Sequence, residues 1–303
     1  MKLQSSELLL TRRMCLAHLA AATALIGQQK PAGAPDSPND WICPMDPDVH
    51  AAKAGLCPRC GMKLVLHVPD RVEYPLEVTS SPAALRPGEA ATLILRVLDP
   101  GGHRDNSRAV RRFEIVHEKL MHLFLVSENL EYFLHDHPVP RKDGGFQLKV
   151  KLPYGGMYRL LADFYPAGSV PQLAVGTLFV AGDSEPARSD WSSAPSLAPA
   201  RSANLTAALR LEPEQPLAGL ETKLFFILEP SDGLEKYLGA WGHMLTASAD
   251  LIDLLHSHPF LITGSVIQFN VIFPREGLYR VWTQFQRRGV VNTVVFTIPV
   301  KSL

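Results

Sequence analysis

The sequence predicts a mainly β chain: a small Cys-rich metal-binding module followed by two tandem immunoglobulin-like β-sandwich domains. Three observations carry this. Twenty-five prolines and twenty-one glycines in 303 residues favour many turns and few long helices. From Leu76 onward, short alternating apolar runs are broken by turn signals such as Pro82, Pro87-Gly88 and Pro100-Gly101. Turns roughly every 8 to 12 residues are the mark of an all-β sandwich. The second half also repeats the first, with His122, His135 and His137 recurring as His243, His256 and His258, each at an offset of 121.

Composition bounds the function classes. Hydrophobic residues make up 46%, enough for sizeable cores, and 30 basic residues balance 30 acidic ones. No basic excess points to nucleic acid, and no acidic block points to a disordered tail.

The first element, 1–34, reads as an export signal. Arg12-Arg13 precedes the apolar run Met14 to Ile26, and small residues including Ala32-Gly33-Ala34 follow. The apolar core is too short to span a bilayer comfortably, and cleavage is expected between Ala24 and Ala34. Thr11-Arg12-Arg13-Met14-Cys15-Leu16 looks like a twin-arginine signal; the ordinary secretory route and an internal amphipathic helix are the alternatives. The expected location is outside the cytoplasm, periplasmic or extracellular.

The second element, 41–66, gathers Cys43, Met45, Cys57, Cys60 and Met62. Thiolates and thioethers are soft ligands that favour Cu(I) and Zn over Mg or Ca. Cys57-x-x-Cys60 lets one tight turn present two sulfurs to one ion, Gly61 permits the positive φ such a turn needs, and Cys43 supplies a third sulfur. Met45, Met62, His50, His67 or water is open as the fourth ligand. A Cys57–Cys60 disulfide with Cys43 left over is the structural alternative. The run Cys43-Pro44-Met45-Asp46-Pro47, then Gly55-Leu56-Cys57-Pro58-Arg59-Cys60-Gly61-Met62-Lys63-Leu64, resembles the short heavy-metal-binding domain near the N-termini of copper-exporting P-type ATPases and in some periplasmic efflux adaptors. The resemblance implies a copper or similar ion as cargo and raises a membrane metal transporter or efflux system as a partner. Asp46 stands where that family has histidine, exchanging a nitrogen donor for a harder oxygen.

The third and fifth elements are the repeats, 70–182 and 204–303. The offset of 121 also carries Pro138 to Pro259, Gly156 to Gly277, Tyr158-Arg159 to Tyr279-Arg280 and Phe164 to Phe285. Upstream, Leu98-Asp99-Pro100 matches Leu228-Glu229-Pro230 at an offset of 130, so repeat one carries a longer loop near Gly102 to Arg112. The fourth element, 183–203, is a Ser/Pro/Ala linker, with Trp191 able to dock. Tyr158 and Tyr279 read as core packing, with tyrosine corners as the alternative, and Arg287-Arg288-Gly289 reads as a hairpin turn.

The histidines sit on these repeats. If Ser127 to Leu130 is the hairpin loop, His122 faces His135 across it, with Cβ atoms ~4.5–5.5 Å apart, and His137 projects from the same face. Ser248 to Leu251 sets His243, His256 and His258 likewise. Imidazole suits copper and zinc. His117, Met121, Asp136 and Met244 are nearby candidates, and Asp163 becomes Gln284 in the second copy, so no carboxylate is shared there. A structural clasp and a pH sensor are the competing readings. The repeats also look loosely similar to exported domains that accompany copper-handling proteins, through His-x-His-Pro and Gly156-Met157-Tyr158-Arg159.

The expectation is an exported metal-binding protein for capture, delivery or resistance to copper or zinc. Its rivals are a mononuclear metal enzyme on a sandwich and an interaction scaffold with a structural cysteine knuckle.

Overall fold

The computed structural model describes residues 41–43, 49–59, 61–66, 73–100, 109–183 and 195–303. The expected export signal, Met45, Asp46, Cys60, His67, loop 101–108 and Trp191 lie outside the described residues. Every regular element among those described is a strand.

Each repeat is two facing antiparallel sheets. In repeat one, Leu76–Ser81, Ala90–Val97, Phe146–Lys151 and Val139–Pro140 form one sheet, and Gln172–Val180, Gly156–Phe164, Met121–Ser127 and Phe133–Asp136 form the other. Repeat two matches it: Thr206–Glu212, Glu221–Glu229 and Val266–Ile272 build the first sheet, with short edge strands. Val290–Val300, Gly277–Arg287, His243–Ser248 and Leu254–Ser257 build the second. Period-two patterning explains the layers. In Glu221–Glu229, residues Thr222, Leu224, Phe226 and Leu228 are fully buried while their neighbours are more exposed. The alternating inward residues of both sheets make one core per repeat, around Leu93, Leu125 and Phe164 in the first and Phe226, Phe269 and Phe296 in the second.

Tyr158 and Tyr279 pack fully buried in these cores, and each is a tyrosine corner as well. The Tyr158 hydroxyl donates to the Tyr154 carbonyl at 3.0 Å, and that of Tyr279 to the Arg275 carbonyl at 3.1 Å. The turn at Arg288-Gly289 forms as expected, both residues taking positive φ between paired strands.

Met121–Ser127 and His243–Ser248 break the alternation, because every residue in both is buried. Their inward faces join the repeat cores; their outward faces meet each other. Phe124, Val126, Leu130 and Leu161 pack against Leu245, Ala247, Leu251, Leu254 and Trp282. These positions correspond across the duplication, as Phe124 to Leu245, Leu130 to Leu251 and Leu161 to Trp282, so the contact is an internal version of a two-fold interface. Phe133 stacks on Trp282 with ring centroids 5.3 Å apart and planes 6° off parallel, and the Arg159 side chain donates to the Leu251 carbonyl across the seam.

The hairpin register differs from the expected one. Phe124, not His122, is opposite His135, and Leu245 is opposite His256. The loop lies one residue later, at Glu128 to Glu131, because Ser127 Oγ accepts from the Tyr132 amide and donates to Asn129 Oδ1. Leu130 takes a left-handed φ of 54°, and Ser248, Asp250 and Leu251 repeat the device. The shift moves each pairing by two residues, so the imidazoles keep their face.

The cysteine-rich module is a three-stranded sheet, with Trp41–Ile42 between His50–Ala51 and Val65–Leu66. Met62, Val65 and Ile42 seat it on Val116, Tyr165 and Val170 of repeat one, and Lys63 pairs with Glu114 at 2.7 Å. Arg59 lies over the Phe260 ring of repeat two, 4.6 Å from its centroid.

Candidate metal centre

Seven histidines meet where the two repeats face each other: His117, His122, His135, His137, His243, His256 and His258. His122 and His243 lie at the starts of the two central strands, second and first in them, and project from the faces that form the seam. His135 and His137 follow on the neighbouring strand and its exit, as do His256 and His258; Pro138 and Pro259 lie beyond the strand ends.

Hydrogen-bond partners assign the tautomers. His122 Nε2 donates to the Val116 carbonyl at 3.0 Å, and His243 Nε2 to the equivalent Tyr237 carbonyl at 3.0 Å. In a neutral ring each Nδ1 is then a lone pair facing the seam. His135 Nδ1 donates to Gln284 Oε1 at 2.7 Å, and His256 Nδ1 to Asp163 Oδ2 at 2.7 Å, so the Nε2 lone pairs of both point inward. Both contacts cross between repeats, and Asp163 and Gln284 are corresponding positions.

The lone pairs converge. His122 Nδ1 is 3.1 Å from His135 Nε2 and 3.2 Å from His137 Nε2, and His243 Nδ1 is 3.1 Å from His258 Nε2. Of the two contacts on His122 Nδ1, only that from His137 is able to be a hydrogen bond, because His135 already donates its one proton to Gln284. Two ligands ~2.0–2.1 Å from one tetrahedral ion are about 3.3 Å apart. His256 Nε2, His258 Nδ1 and His117 Nε2 are buried with no hydrogen-bond partner among the described atoms. Orphaned buried nitrogens are costly unless something unrepresented satisfies them. Donor atoms of His122, His135 and His243 lie within 4.8 Å of one another, as do those of His243, His256 and His258. His122, His135, His243 and His256 are each fixed by a partner on the other nitrogen, the usual construction of a metal site.

Burial keeps these rings neutral. It holds His117 and His122 down at about 4 and His137 at about 3, helped by the crowding of imidazoles that disfavours a further charge. His135, His243 and His258 are pushed well below the ordinary value by the same desolvation. At neutral pH no proton competes for their lone pairs.

His117 belongs to one repeat only. Its counterpart is Leu238, on an equivalent two-residue turn with positive φ at both centres. The His117 ring lies on that of His258, centroids 3.9 Å apart. The other nearby candidates point elsewhere: Met121 and Met244 are buried in the sandwich cores, on the opposite face from the histidines, and Asp136 accepts from the His137 amide.

In the module, Cys43 and Cys57 are buried in one small cluster with Leu64. The knuckle forms as its residues demand: Gly61 takes a φ of 76°, its amide donates to the Cys57 carbonyl at 2.9 Å, and the Cys57 amide donates to the Met62 carbonyl at 2.7 Å. Met62 packs in the apolar contact with repeat one, apart from that cluster. Between knuckle and histidines lies a cleft of about 600 Å³, lined by Cys57, Arg59, His117, Lys236, Trp241 and His258 among others.

Asp163 and Gln284 are the functional residues that sequence reasoning missed. Their shared offset of 121 was read, but because the carboxylate is not shared the position was set aside, and its role in orienting a histidine of the opposite repeat was missed.

A family model described as a heavy metal binding domain matches residues 41–68. A second, described as a domain of unknown function (DUF8832), matches 70–178 and again 203–302, together more than half of the chain. No curated protein matches. Among solved structures, the Escherichia coli adhesin FdeC is 14% identical, covering 79% of this chain and 67% of its own, with a TM-score of 0.25. Titin A168–169 is 15% identical, covering 76% of this chain and 98% of its own, at 0.20. InvD of Yersinia pseudotuberculosis is 12% identical, covering 74% and 57%, at 0.24. Likeness this loose carries no argument, and the fold rests on the strand pairing above.

Proposed function

The chain belongs to the family DUF8832, and from that premise we propose that it is an exported protein that captures a heavy-metal ion, copper or zinc, and holds it between its two repeats. The observation that carries this is the convergence of imidazole nitrogens at 3.1–3.2 Å, with His122, His135 and His243 each oriented by a partner on the far nitrogen. Residues of this type fit copper and zinc, and do not fit magnesium or calcium. Bound there, the ion would be cargo held by His122, His135 and His137 or by His243, His256 and His258.

The heavy metal binding domain supplies the soft end of the same reading. Cys57 of its knuckle lines the same cleft as His117 and His258. An ion released by the knuckle would reach imidazole within one cleft. The N-terminal signal would deliver the protein to the periplasm or beyond, where a membrane metal transporter or efflux system is the natural partner. Among the described residues, no helix is long and apolar enough to cross a membrane.

The test is metal content. Protein loaded with copper or zinc and desalted is compared with Cys57→Ser/Cys60→Ser and with His122→Gln/His243→Gln. The cysteine variant should lose the module's share and the histidine variant the repeats' share. Unchanged stoichiometry in both would end the proposal.

A further inference from the structure

We propose that the two imidazole trios are one two-ion centre: one ion on His122, His135 and His137, a second on His243, His256 and His258, in a single chamber sealed by the seam. This rests on the metal-binding reading above and goes beyond it in number, arrangement and inequality of the ions.

Four observations carry it. The trios are close: the His122 and His243 rings are 5.6 Å apart between centroids and 26° from parallel, and His135 and His243 are 5.4 Å apart. The His243 donor belongs to both three-histidine groupings, so no wall separates the trios. Each trio depends on the opposite repeat, because Gln284 of repeat two orients His135 and Asp163 of repeat one orients His256. A repeat alone therefore cannot orient its own trio. Finally, the orphaned nitrogens His256 Nε2 and His258 Nδ1 belong to the second trio, while in the first His135 Nε2 meets His122 Nδ1 lone pair to lone pair at 3.1 Å, a contact that a shared ion relieves.

The two ions are not held equally. A carboxylate behind an imidazole raises its basicity and its donor strength more than an amide does. Asp163 backs His256 in one half, and Gln284 backs His135 in the other. His117 adds a buried nitrogen nearer the second half, its ring 3.9 Å from His258 and 5.5 Å from His243 against 6.3 Å from His122. The half built on repeat two fills first.

The full chain with Cys43→Ser, Cys57→Ser and Cys60→Ser isolates the histidine centre. It is titrated with Cu(II) and with Zn(II), with bound metal counted after desalting and folding checked by circular dichroism. Two ions per chain are expected, the first bound more tightly. His135→Gln and His256→Gln should each retain one, and Asp163→Asn should weaken one ion by ~10–100-fold without changing the other. With Cu(II), the doubly loaded protein should lose or broaden its paramagnetic resonance signal per copper relative to either one-ion variant, since the two spins share a chamber. One ion per chain in the triple-serine protein, or two with unperturbed independent spectra, overturns the two-ion centre but leaves single-site binding standing. No bound ion overturns the histidine reading itself. The count on the triple-serine protein decides the matter even where a histidine variant fails to fold.

Discussion

Acidifying the metal-free protein is the sharpest test of the neutral histidine chamber. Burial is the largest cause lowering His117, His122, His135, His243 and His258. Their folded values are depressed below the unfolded value near 6.5, so as pH falls the unfolded chain takes up protons first. Stability is therefore full above about pH 6.5 and is lost as pH falls toward about 4. Linkage makes the loss about 0.8 kcal/mol per histidine at pH 6 and about 1.4 kcal/mol at pH 5.5. Five such rings total about 4 and about 7 kcal/mol, with His137 left aside because it is only partly buried. Domains of this kind hold roughly 5–15 kcal/mol, so the apo protein should open or unfold near pH 5.5. The depressed carboxylates Asp143 and Asp250 act only below their ordinary value of 3.8, outside this window. The assay is urea denaturation of chelator-treated protein from about pH 7.5 to 5.5, read by tryptophan fluorescence, which Trp282 at the seam reports. A total loss below about 1.4 kcal/mol, one histidine's worth, would refute a buried neutral cluster.

Three further outcomes follow from the same packing. Trp282→Ala removes the ring stacked on Phe133 and should cost about 3–5 kcal/mol, seen as a lowered urea midpoint together with weakened metal binding, because the seam also aligns the histidines. Loading with zinc at about a thousand times the dissociation constant should add about 4 kcal/mol per site, raising Tm by roughly 10 °C in calorimetry and moving the acid transition to lower pH. Met62→Ala should loosen the module, read as faster proteolysis near residues 50–60, while Lys63→Ala should change stability by less than about 1 kcal/mol, because its pair with Glu114 is solvent-exposed.

The duplication was legible because three histidines, several prolines and the tyrosine pair kept one spacing over both copies. Alternation named the strands, and Cys57-x-x-Cys60-Gly61 announced its own turn. The register was not legible. Ser127 and Ser248 look like loop residues, and only their hydroxyl bonds to the backbone place the turn one residue further on. Nor was the burial of both faces of Met121–Ser127 and His243–Ser248 legible, because nothing local says what covers the outer one.

Taken by itself, the chain's order of residues determined the elements, the repeat and the donor types, since side-chain period, turn chemistry and ligand softness are local properties. The meeting of the two trios was decided in three dimensions. It depends on Asp163 reaching His256 and Gln284 reaching His135 across 93 and 149 positions, contacts that exist only once two apolar faces have excluded water between the repeats.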